Sequence, residues 1–129
     1  MSDHTVTTDA APEPRGPYPH VRVHDGFAWV TGQIGRDAET GDFVPGGFEP
    51  EFHQAITNLE RILDEVGATL ADVVRTEVQF IDEDDLDAMN AIYGERFHPP
   101  QPARTSYGAA FLWKGATVQI SCVAAVPTS

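Results

Sequence analysis

Cysteine is nearly absent from this chain. Cys122 is the only one, which excludes an internal disulfide and leaves nothing from which to build a cysteine-based zinc site. Long apolar runs are missing too; none approaches the roughly 20 residues that cross a bilayer. Bases are scarce, 8 against 20 acids, so the formal net charge is −12 and the pI is near 4.5. A field of that sign repels a nucleic-acid duplex and an anionic membrane surface, and neither is expected as a partner. The N-terminus opens with Ser2, Asp3 and His4 instead of the basic and apolar regions of a secretory signal. A cytoplasmic location is expected.

What is present suits one globular domain. At 129 residues and 14.0 kDa, folding buries roughly two thirds of the unfolded surface, enough for a core without staples. Residues 1–16 are polar, carry Pro12 and Pro14, and show no periodicity. They read as a flexible N-terminal tail or an edge extension, with residues 17–129 forming the domain. No linker, repeat or low-complexity block divides that remainder.

The pattern along the domain alternates between periods. Val21 and Val23 alternate with Arg22 and His24, Asp25-Gly26 supplies a tight turn, and Phe27, Trp29 and Thr31 alternate on the return, which makes a hairpin. Gly35 to Gly47 reads as a loop. Phe52, Ala55, Ile56, Leu59, Ile62, Leu63 and Val66 form one helix face, which Gly67 is placed to close. Val74, Thr76, Val78 and Phe80 alternate with Arg75, Glu77 and Gln79 as a half-buried strand. The acids from Asp82 to Asp85 suit a second helix N-terminus, with Leu86, Met89, Tyr93 and Phe97 as its apolar stripe. His98-Pro99-Pro100-Gln101-Pro102 stops that helix. Two strands follow, about 103–111 and 116–126. The order β-β-α-β-α-β-β predicts an α+β domain, its helices on a largely antiparallel or mixed sheet. One sheet face is left bare, a surface suited to closing against other copies of the chain.

Most candidate chemistry is weak. His20 and His24 lie four apart on a strand, about 13 Å from one another, with no carboxylate motif. No metal site is expected, and both read as solvated or edge histidines. Ser106 and Ser121 lack a nucleophile elbow, and Gly46-Gly47 lacks the wider phosphate-loop pattern. Arg104 stands apart. It follows Pro102-Ala103 at a strand start, where a rigid lead-in holds a fork of donors that matches a carboxylate. An intramolecular ion pair is the competing reading.

Gly16-Pro17-Tyr18, Thr31-Gly32-Gln33-Ile34-Gly35 and Pro102-Ala103-Arg104-Thr105, in that order, resemble the RidA (YjgF-type) family of enamine/imine deaminases. Asn58-Leu59, Gly67-Ala68, Asp72-Val73-Val74, and Asn90 with Tyr93 extend the likeness over about residues 16–127. The resemblance implies a chorismate-mutase-like fold with two helices on one sheet face. It also implies a homotrimer around a central β-barrel, with clefts between subunits. The implied activity is hydrolysis of small 2-imino or 2-enamino acids to 2-keto acids and ammonia, without metal or organic cofactor. Carried over by position, Arg104 grips the substrate carboxylate, Tyr18 lines the cleft and Gly32 contributes backbone contacts. Tyr93 falls on its helix's apolar stripe and reads as core.

The chain departs from the family pattern at two implied catalytic positions. Where deaminating members carry a Glu in the last strand, this segment reads Val118-Gln119-Ile120, and Ser106 stands where a small residue or Cys is common. A glutamine holds a water through its amide oxygen but accepts no proton at neutral pH. The expected alternative is therefore a non-catalytic or altered-specificity trimer that binds a small carboxylate metabolite. RNA cleavage is disfavoured by the charge and the lack of a basic patch.

Overall fold

The structure, a computed structural model, describes residues 3–127. Among these, six strands and two α-helices follow in order, besides three single-turn 3-10 helices: β1 (His4–Val6), β2 (Val21–His24), β3 (Phe27–Gln33), α1 (Phe48–Asp64), β4 (Val73–Phe80), α2 (Leu86–Arg96), β5 (Ala103–Gly108) and β6 (Val118–Ala125). One six-stranded sheet runs β1-β2-β3-β6-β4-β5; only the β4–β5 pair is parallel. The fold is α+β with a mixed sheet.

Local sequence explains most of these elements. Asp25 and Gly26 both take positive φ, 51° and 79°, the geometry that joins β2 to β3 tightly. The foreseen apolar face of α1 is buried, with Phe52, Ala55, Ile56, Leu59, Ile62 and Leu63 fully enclosed. Past its end, Gly67 at φ 79° lets its own N–H reach Asp64 O and the Ala68 N–H reach Leu63 O, a Schellman closure. Met89, Ile92, Tyr93 and Phe97 carry α2 into the same core. Both helices lie on the sheet face formed by Val21, Val23, Ala28, Val30, Val78, Val118, Ile120, Cys122 and Ala124. Phe27, Trp29 and Tyr107 stand exposed on the other face.

Of the two readings of the N-terminal segment, the structure has the edge extension at His4–Val6, a strand antiparallel to β2, and not a loose tail there. Two local expectations are corrected. Val74 is exposed, because Val73 pairs with Ala124 while Arg75 pairs with Val123; the extra residue turns Val74 out and leaves Val73 inside. His20 is neither solvated nor at an edge. It is 1% exposed, with Nε2–H donating to Pro12 O at 2.7 Å and Nδ1 accepting from the Thr8 N–H at 3.1 Å. Those two bonds fix its tautomer and tie the 8–12 segment to the sheet.

Candidate active site

Tyr18, Gly32 and Gln119 line one cavity of about 110 Å³, between the N-terminal segment, the end of β3 and the start of β6. Tyr18 arrives there on a tight turn in which its N–H donates to Gly16 O. A side chain at Gly16 would press on the tyrosine ring, since its Cβ would stand 2.6 Å from it. Gly32 sits in a bulge: Val30 pairs with Cys122 and Gln33 with Ile120, so Thr31 and Gly32 together face Ser121 alone. The Gln119 amide occupies the space a side chain at 32 would need. Gln119 Nε2 donates to Gln79 Oε1 (3.1 Å), and Gln79 Nε2 donates to Tyr107 Oη (2.6 Å). That chain commits the nitrogen end of Gln119 and leaves Oε1 to accept from a ligand or water.

Arg104 lies elsewhere. On edge strand β5 its side chain points to the helix side of the sheet, in register with Thr76. Its Nη2 donates to Asn90 Oδ1 at 2.7 Å, and its Cζ lies 4.7 Å from the centre of the Tyr93 ring. Tyr93 is core, as its stripe predicts. It stacks on Phe97 at 4.4 Å and shares a 2.7 Å hydrogen bond with Thr76 Oγ1. Burial pushes the phenol pKa up, against the Thr76 hydrogen bond and the Arg104 charge, so the ring stays a neutral platform. Among the described residues no carboxylate lies within 4.0 Å of Arg104. The competing reading of Arg104, an intramolecular ion pair, is therefore not what the structure holds. Ser106 follows on the same face, and its buried Oγ has no hydrogen-bond partner among the described residues.

A single chain does not bring these residues together. Arg104 and Ser106 face the helix side; Gly32 and Gln119 face the bare side, with β4 between β5 and β6. The two implied catalytic residues, Ser106 and Gln119, thus lie on opposite faces of the sheet.

The cavity also holds residues that the sequence reading passed over. Arg36, in the loop after β3, is 5% exposed. Asn58 fixes that loop from α1, donating from Nδ2 to Ile34 O (3.2 Å) and Arg36 O (3.0 Å). Gly35 lets the loop close on α1, where its Cβ would stand 2.5 Å from Glu51 Cα. Glu51 in turn accepts from Thr117 N and Oγ1, anchoring the lead-in to β6. A buried arginine inside a glycine-rich loop leaves no periodic signal, and Trp113, which packs on it, is distant in sequence.

The chain matches the family described as "Endoribonuclease L-PSP" over residues 8–126. It is 37% identical to a 2-iminobutanoate/2-iminopropanoate deaminase of Capra hircus across 119 residues, 92% of this chain and 87% of the relative. Among solved structures it is similar to a putative endoribonuclease L-PSP from Entamoeba histolytica (TM-score 0.90, 37% identity, covering 96% of this chain and 99% of the other). It is likewise similar to RidA from a Psychrobacter species (TM-score 0.92, 30% identity, covering 95% and 99%).

Proposed function

Because this chain belongs to the endoribonuclease L-PSP family, that of the RidA proteins, we propose that it hydrolyses small 2-imino and 2-enamino acids to 2-keto acids and ammonia. The observation that carries the reading is Arg104: a guanidinium fixed by Asn90 and Tyr93, with no carboxylate of the described residues within 4.0 Å in a protein of charge −12. A fork of donors held in that way suits the carboxylate of an imino acid.

The reaction asks little more. Water adds to the C=N carbon: a C–O bond forms and one water proton ends on nitrogen, giving a carbinolamine. Its hydroxyl proton then passes to nitrogen, C=O forms as the C–N bond breaks, and ammonia leaves. Gln119 Oε1 accepts a hydrogen bond from the attacking water and aims it, without taking its proton. Arg104 holds the substrate still and offsets its charge.

The two half-sites meet between copies. A homotrimer with heterologous contacts would set the β5 edge of one copy against the Tyr18–Gln119 cavity of the next. Exposed Phe27, Trp29 and Tyr107 on the bare face are the apolar surface that a central β-barrel would bury. A chorismate-mutase-like trimer and intersubunit clefts follow from this reading, as does a cytoplasmic place for the enzyme.

The test is imine hydrolysis with substrates generated in situ by an amino-acid oxidase or a dehydratase, across alanine-, threonine-, leucine- and aromatic-derived imines. Wild type accelerates at least one, and Arg104→Ala abolishes the acceleration. An unchanged rate in that variant rejects the clamp. Gln119 favours a second reading, a trimer that binds keto acids without turnover. Saturable binding with no ammonia release would select it.

A further inference from the structure

We propose that the cavity beside Gln119 selects a substrate with a second anionic group, a short imino dicarboxylate, whose far carboxylate is held by Arg36 and Arg15. This rests on the imine-hydrolysis reading above and names its substrate class.

Arg36 is short of an anion. Its Nε donates to Gly41 O (2.9 Å) and its Nη1 to Glu13 O (3.3 Å), both neutral acceptors. Among the described residues its buried Nη2 has no hydrogen-bond partner and no carboxylate lies within 4.0 Å of the guanidinium. Arginine is almost never this buried unless an anion pairs with it.

A second guanidinium stands beside the first. Arg36 and Arg15 both lie over the Trp113 ring, with Cζ atoms 5.1 and 5.9 Å from its centre. The point a Cβ on Gly41 would occupy is 3.6 Å from Arg36 Nη2 and 3.7 Å from an Arg15 Nη2. Burial, and then the neighbouring Arg15, hold the Arg36 pKa below its usual range, against the weaker opposing charges of Tyr18, Glu13 and Asp42. Glu13 and Asp42 lie close enough to offset part of that charge but neither pairs with Arg36 within 4.0 Å, so the two guanidinium groups repel one another until an anion lies between them.

The arrangement is rigid and lies at the site. Asn58 and the Gly35–Glu51 approach hold the Arg36 backbone, so the group is placed in advance and has little room to relax. Both arginines line the same cavity as Tyr18, Gly32 and Gln119. At about 110 Å³ that space suits a chain of only a few carbons. With Arg104 of the adjoining copy on the α-carboxylate, the C=N carbon falls near Gln119 and the distal carboxylate falls to Arg36 and Arg15.

The test compares kcat/KM for the imine derived from aspartate with that for the imine of 2-aminobutanoate, which has the same carbon count and one carboxylate. Wild type prefers the dicarboxylate by roughly tenfold or more. Arg36→Gln brings the ratio toward one, and Arg15→Ala, a change at an exposed position, lowers it several-fold. A wild-type ratio at or below one, or ratios unchanged in both variants, overturns the proposal. Calorimetry with succinate and butanoate separates it from the hydrolysis reading. If no imine is hydrolysed but succinate binds, and binds more weakly to both variants, the dianion pocket stands and the hydrolysis reading fails. If succinate binds no better than butanoate, the pocket proposal fails whatever the hydrolysis result.

Discussion

Gln119 lies directly on Gly32: a Cβ at position 32 would stand 2.7 Å from Gln119 Cδ and 2.9 Å from its Nε2. The bulge that frees Thr31 and Gly32 from regular pairing is what lets the amide rest there. Gly32→Ala must therefore displace Gln119 from its hydrogen bond with Gln79. Imine hydrolysis should fall by roughly tenfold or more with KM little changed, since the water-holding oxygen moves while Arg104 stays. Steady-state kinetics on a folded variant checks this.

Gln119→Glu restores a group able to take a proton. The side-chain chain accommodates it: Gln79 can turn its amide to donate to the new carboxylate and then accept from the Tyr107 hydroxyl. General-base help is worth about 10²–10⁴-fold, so kcat should rise by up to that range and acquire an acidic limb in its pH profile. Equal rates in wild type and variant would show that placing the water already suffices.

Asn58 joins α1 to the loop that carries Arg36. Asn58→Ala removes both donors to Ile34 O and Arg36 O inside a fully buried site. The expected cost is about 2–3 kcal/mol of unfolding free energy, read from the denaturant midpoint at constant slope.

Cys122 is a buried structural thiol. Burial pushes its pKa from 9.0 up to about 12. The fold therefore favours the neutral form, and that contribution is complete below pH 9 and is lost as pH rises from 9 toward 12. Stability should decline with pH across that window, and Cys122→Ala should flatten part of the decline. The native thiol should also resist disulfide reagents at pH 8, reacting only on unfolding.

Elements governed by local periodicity were legible in the sequence. The α1 stripe, the Asp25-Gly26 turn and the proline stop after α2 each follow from a few adjacent residues. Features set by distant partners were not. Three residues of β1 carry no alternation, and only the β2 edge gives them a strand. The bulge at Val73–Arg75 reverses which valine is inside, and no composition signal marks it. Of the candidate site, Tyr18, Gly32, Arg104, Ser106 and Gln119 were marked by resemblance, while Arg36 in the same cavity as Tyr18 was not, because its burial depends on Trp113 and Asn58. The separation of Arg104 from Gln119 on opposite faces also needed the strand order, which puts β6 between β3 and β4.

The most direct test of a site shared between copies is subunit complementation. Arg104→Ala lacks one half-site, and Gly32→Val obstructs the other; each alone should be inactive. Unfolded together in equal amounts and refolded, they should form mixed trimers in which about one cleft in four pairs an intact Arg104 with an intact cavity. The account predicts recovery of about a quarter of the wild-type rate. A mixture no more active than its parents would contradict it.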